Sequence, residues 1–253
     1  MHKEIGIIRE FLGFIIKPDY HIKNEDINRQ QTVFKLIKLF LFCSVVCIII
    51  AVIIHLTESE SSSLKETIEK QPFIRKFLSM VIITPLIEEI MFRLPIRFSK
   101  WNITISFLVL SYGFMTVVIF DTRYFDVGNH FITRIGVAVL VSIIVFYLSK
   151  LYQEKLQKFW EKYFRFMLYF FCFFFAFLHI TNYDDITTRI LLLTPLLTLS
   201  QLVGAFSYSF VRMKYGFGVG VLLHSMKNFI VLLPHILSAV FYNLATVLRE
   251  YNL

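Results

Sequence analysis

Apolar runs of bilayer length recur along this chain, and they leave it little choice of fold. About 20 apolar residues, rising 1.5 Å each as a helix, cover a hydrocarbon core of about 30 Å. Such runs stand near 39–56, 77–96, 103–120, 134–149, 166–183, 190–210, 216–233 and 236–248. Lipid offers backbone N–H and C=O groups no hydrogen bonds, so each run must satisfy its own as a helix. The pattern therefore predicts an all-α fold, a polytopic transmembrane helix bundle of about eight spans. The last run is short, and crossing the bilayer or lying in its interface both fit its length. Composition agrees: 57% of the 253 residues are hydrophobic and 29 are Phe, far more apolar surface than a soluble domain of this size uses.

Charge supports the count independently. With the amino terminus inside, 18 of the 26 Lys and Arg fall in inner segments, including Arg93, Arg97, Lys158, Arg165, Arg212 and Lys214. Seven fall in outer ones, among them Lys65, Lys70, Lys76, Arg134 and Arg189. That asymmetry follows the positive-inside rule and predicts both termini in the cytoplasm, for a protein of the bacterial inner membrane. The net charge of +8 is spread over the inner face, where anionic membrane lipid accounts for it; no nucleic-acid-binding fold accompanies it. Cys43, Cys47 and Cys172 all lie in apolar runs and read as packing residues.

One membrane domain over 1–253 is expected, with a motif-bearing core at 77–232. Within the amino-terminal segment 1–34, IGIIREFLGFII has the pattern of an amphipathic helix on the inner leaflet. The polar stretch 58–70 reads as an outer loop that starts a helix, Ser63 capping and Glu66 three residues on. Residues 152–166 read as an interfacial helix with Trp160 and Tyr163 at headgroup level. The first apolar run follows 38 mixed residues and reads as a span, not as a cleavable leader.

Against this background Glu88 and Glu89 stand out, as the only acidic residues inside an apolar run. A carboxylate at mid-membrane costs roughly 3 kcal/mol or more and usually lines a cavity or performs chemistry. Residues four apart lie about 40° apart around a helix, so Glu89 and Arg93 share a face while Glu88, about 100° from Glu89, points elsewhere. The same spacing pairs Phe175 with His179 and His224 with Asn228 on two other runs. Taken singly, each has a structural explanation: an intramembrane His can be a hydrogen-bonding residue, His224 with Asn228 interhelical glue, and Glu89 with Arg93 an ion pair. Together, two carboxylates, two imidazoles and an amide are the parts of a hydrolytic site.

EEIMFR, FAFLH and HSMKN match, in order, the E-E-x-x-x-R, F-x-x-x-H and H-x-x-x-N motifs. The chain thus resembles the CPBP family of intramembrane proteases, which includes the type II CAAX prenyl endopeptidases and bacteriocin-immunity proteins. The resemblance implies that Glu88 and His179 activate water, that His224 and Asn228 stabilise the oxyanion, and that Glu89 and Arg93 support the site, with Phe175 in the second motif. One departure is clear: 91 residues and two runs, 103–120 and 134–149, separate Glu88 from His179, where the family has a short connection.

Desolvation in a membrane cavity disfavours the charged form of a carboxylate and strengthens it as a general base. The expected activity is hydrolysis of a peptide or membrane-protein substrate by glutamate-activated water. Glu and His also ligate zinc, which stays open as the rival mechanism; no H-E-x-x-H occurs, and a metal-independent site without cofactor is the preferred reading. Two other function classes remain: a catalytically silent immunity or scaffold protein of the same fold, and a small-solute transporter coupling charge through Glu88 and Lys227. Paired repeats and broken helices would favour the transporter. Lys227 has no place in the motifs.

Overall fold

The computed structural model describes residues 6–22, 29–57, 72–183 and 185–250, with side chains as far as Pro234. Every regular element among them is helical. In chain order these are α1 (Ile7–Ile16) and α2 (Arg29–Thr57), then α3, a helical run made of Phe73–Phe77, the π-helical Leu78–Ile83 and Thr84–Phe92. A 3-10 turn (Leu94–Ile96) leads to α4 (Lys100–Phe114, prolonged by a π segment, Met115–Ile119) and α5 (Phe131–Leu151). α6 (Gln153–Leu178) ends in a 3-10 turn (His179–Asn182), followed by α7 (Thr188–Leu197), α8 (Leu199–Tyr215) and α9 (Phe217–Glu250). Among the described residues, six helices are long and apolar enough to cross a membrane: α2, α4, α5, α6, α7 with α8, and α9 to Pro234. The helix start expected at Ser63 and Glu66 lies outside the described residues.

The eight-span reading needs correcting at its end. Runs 216–233 and 236–248 are not two antiparallel spans, because Phe217–Glu250 is one helix of 34 residues with Pro234 inside it. A proline removes one i→i−4 hydrogen bond, but no glycine stands beside it to reverse the chain, and the helix continues. At 1.5 Å per residue α9 is about 51 Å long, well beyond a 30 Å hydrocarbon core. Residues 153–166 likewise belong to one longer helix, α6, which kinks at Tyr163 (φ −106°, ψ 15°), three residues before the boundary expected at 166.

The bundle is built around α8, in which every residue from Gly204 to Lys214 is buried. Gly204, Ala205, Ser207 and Ser209 alternate with large side chains and let neighbouring helices approach closely. α8 packs on α2, α6 and α9. The amphipathic α1 packs under one end of this core, placing Phe11 5.7 Å from Phe210 and Phe14 6.4 Å from Phe164, ring to ring. Glu10 pairs with the buried Lys214 at the same end. Trp160 Nε1 donates to Pro95 O at 2.8 Å and ties the foot of α6 to the end of α3. α4 and α5 form a hairpin that packs mainly on itself and meets the remaining helices through α3 and α6.

Candidate functional site

The three motif helices converge on one cavity of about 450 Å³. Its lining runs from Tyr208 and His224 in the bundle interior out to Lys76 at the start of α3 and Asn182 beyond α6, at the end of the bundle opposite α1. Glu88, Phe175, His179, His224, Lys227 and Asn228 all line it. Glu89 and Arg93 lie behind the wall.

On α3 the two carboxylates part as their angular spacing predicts. Glu89 is fully buried, with Oε1 3.5 Å from Arg93 Nε and 3.0 Å from His224 Nδ1. Glu88 turns into the cavity, its side chain 20% exposed, and its Oε2 stands 3.4 Å from His224 Nε2. His224 thus bridges both carboxylates, a contact that motif spacing does not reveal. Two carboxylates flank its two ring nitrogens, and a carboxylate only accepts, so Nδ1–H donates to Glu89 and an Nε2–H faces Glu88. The imidazole is held flat against Tyr208, centroids 4.3 Å apart and planes 15° apart. The Arg93 guanidinium lies 3.8 Å over the Phe175 ring, and that ring touches His179 (4.6 Å) and, edge-on, His224 (6.1 Å). Phe175 therefore packs against the cation and both imidazoles, while Glu89 Oε1 lies between Arg93 and His224.

His179 owes its orientation to the end of its helix. α6 tightens into a 3-10 turn there, so the His179 amide donates to Ala176 O and leaves the Phe175 carbonyl to the imidazole. His179 Nδ1 is 2.8 Å from Phe175 O. A carbonyl only accepts, so Nδ1 carries the hydrogen and Nε2 keeps a lone pair for the cavity.

Asn228 is held by a different defect. In the π segment the Thr84 amide donates to Ser79 O, five residues back, and the next residue is Pro85, which has no N–H. Met80 O is thereby left without a helical donor, and Asn228 Nδ2 donates to it at 2.9 Å. The amide has a second N–H, available to the cavity. Sequence reasoning did not find Tyr208, whose run of alternating small and large residues reads as ordinary packing. It found Lys227 without a role, although three residues past His224 is a spacing that shares a wall. Among the described residues no group of three His, Cys, Asp or Glu side chains is placed to hold a metal ion. Cys43, Cys47 and Cys172 are unbridged, and Cys172 packs 3.5 Å from the Ser209 hydroxyl.

No family model, curated protein or solved structure matches the chain.

Proposed function

We propose that the protein is an intramembrane endopeptidase of the CPBP type, hydrolysing peptide bonds with a water activated by Glu88, in one membrane domain. The observation that carries this reading is the meeting of Glu88, His179, His224 and Asn228, from three separate helices, in one cavity inside an otherwise apolar bundle. Glu88, with the free lone pair of His179 on the same cavity, accepts a proton from water, and the hydroxide adds to the peptide carbonyl. Once Glu88 holds that proton, the Nε2–H of His224 is released to donate to the oxyanion together with the second N–H of Asn228. Collapse of the intermediate passes the proton from Glu88 to the leaving amine, and the net reaction is water plus peptide to acid plus amine. Glu89 and Arg93 fix the His224 ring from behind and act as positioning residues.

Purified protein in nanodiscs, profiled against a peptide library with and without chelator, tests the reading. Cleavage that survives chelator and disappears in Glu88→Gln supports it; cleavage abolished by chelator moves the mechanism to zinc. A transporter is the second reading, favoured by the π segment of α3 and the break between α7 and α8 at Thr198, both beside the cavity. Solute flux in proteoliposomes without any peptide cleavage would select it. For orientation we infer seven crossings, counting α3, with the basic-rich α1 end inside. The end of α9 at Glu250 then lies outside, where an even number of crossings would have put it in the cytoplasm.

A further inference from the structure

The mechanism above leaves Lys227 unused. It lies on α9 three residues beyond His224, about 4.5 Å farther along the axis toward the cavity mouth. Its Nζ donates to Ser200 O at 3.0 Å, a neutral carbonyl that the Cys47 thiol also approaches, at 3.7 Å. Among the described residues no ion pair supplies it with a carboxylate: Glu89 is taken by Arg93 and His224, and Glu88 faces His224. Space for the ammonium is made by Gly204, where a Cβ would come within 2.9 Å of Nζ. A half-buried cation with neutral partners, on the wall of a cavity, is costly unless an anion arrives to complete it.

We propose that Lys227 makes the cavity selective for substrates that carry a carboxylate within about two residues of the bond to be cut, an inference that rests on the peptidase reading. Lys227 follows His224 by just under one helical turn and lines the same cavity as Glu88, and successive Cα atoms of a bound peptide are 3.8 Å apart, so a carboxylate at Lys227 leaves a peptide carbonyl one or two residues away within the cavity. A free carboxyl terminus and an acidic side chain offer the same chemistry.

The test uses the whole chain in nanodiscs and one fluorescein-labelled apolar heptapeptide in three forms: free carboxyl terminus, terminal amide, and terminal amide with an internal Glu. Cleavage is followed with the wild type, and binding with Glu88→Gln by fluorescence anisotropy. A carboxylate form is expected to be favoured over the plain amide by about ten- to a hundredfold. The better of the two carboxylate peptides identifies the source. Lys227→Gln, which keeps a donor for Ser200 O, is expected to bring that ratio close to one without lowering the melting temperature.

Cleavage of all three forms at equal rates overturns the carboxylate site and leaves the peptidase standing. Preferential binding of a carboxylate form without any cleavage keeps the site and removes the peptidase. A preference that survives in Lys227→Gln overturns the assignment to that residue, and absence of both binding and cleavage overturns both proposals.

Discussion

Glu88 and Glu89 are neighbours in sequence with opposite surroundings, and substitution should separate their roles. Glu88→Gln keeps volume and hydrogen bonding but removes the base, so peptide hydrolysis should fall by several orders of magnitude while the melting temperature holds. Glu89→Gln strips the charge partner from Arg93 and leaves His224 only a neutral carbonyl as acceptor, in a fully buried setting. Breaking such a pair costs about 3–5 kcal/mol, so folded yield and activity should fall together. Thermal melts and cleavage rates on both variants check this; a stability loss at Glu88 instead would reverse the two roles. The angular part of the distinction was legible in the sequence, since i and i+4 positions share a face whatever the tertiary fold. That His224 reaches both carboxylates was not, because 135 residues separate it from Glu89 and only packing of α9 on α3 brings them together.

At the scale of the element, the π segment of α3 and the asparagine of α9 form one unit. Met80 O lacks a helical donor because Pro85 follows, and Asn228 supplies one. Asn228→Ala should therefore cost about 1–3 kcal/mol through the unsatisfied carbonyl, apart from any loss of catalysis. In a Pro85→Ala background the new amide can serve α3 itself, and the stability cost of Asn228→Ala should shrink by about half or more. A double-mutant cycle on thermal or denaturant stability measures this coupling directly. Additive costs would mean that the carbonyl is satisfied in some other way. Asn228 was legible as a motif residue; its structural bond was not, since a π segment has no signature in apolar periodicity.

For the molecule as a whole, the single helix α9 decides topology. Reporter fusions placed before α2 and after Arg249 should read opposite sides of the membrane; matching signals would restore a re-entrant or eighth crossing. The α4–α5 hairpin makes a separate prediction. In its connecting loop the Gly128 amide (2.7 Å) and the Thr122 hydroxyl (2.8 Å) hold the Asp126 carboxyl below the usual carboxylate range. Buried Arg134 ties the same loop to α4, donating to Asp126 O and to Thr116 Oγ1 (3.2 Å). A lowered value in the folded loop means that this order is fully present above the ordinary carboxylate pKa of about 3.9 and is lost as pH falls through the lowered one. Hydrogen-exchange protection across residues 120–130, taken relative to the intrinsic rate at each pH, should fall over that acid range, and Asp126→Asn should remove the dependence. An exchange profile flat in the wild type would count against it.

The all-helical class, the positions of most apolar helices and the three polar pairs were determined by the sequence alone. They rest on local physics: backbone hydrogen bonds that lipid cannot replace, and the 100° step of the helix. Tertiary structure decided the rest. It joined the last two apolar runs into α9, set Tyr208 flat against His224, turned His179 Nδ1 onto a carbonyl freed by a 3-10 turn, and aimed Lys227 into the cavity beside Gly204. Each of these depends on which helices touch, and in a chain so uniformly apolar many pairings would bury the same kinds of side chain.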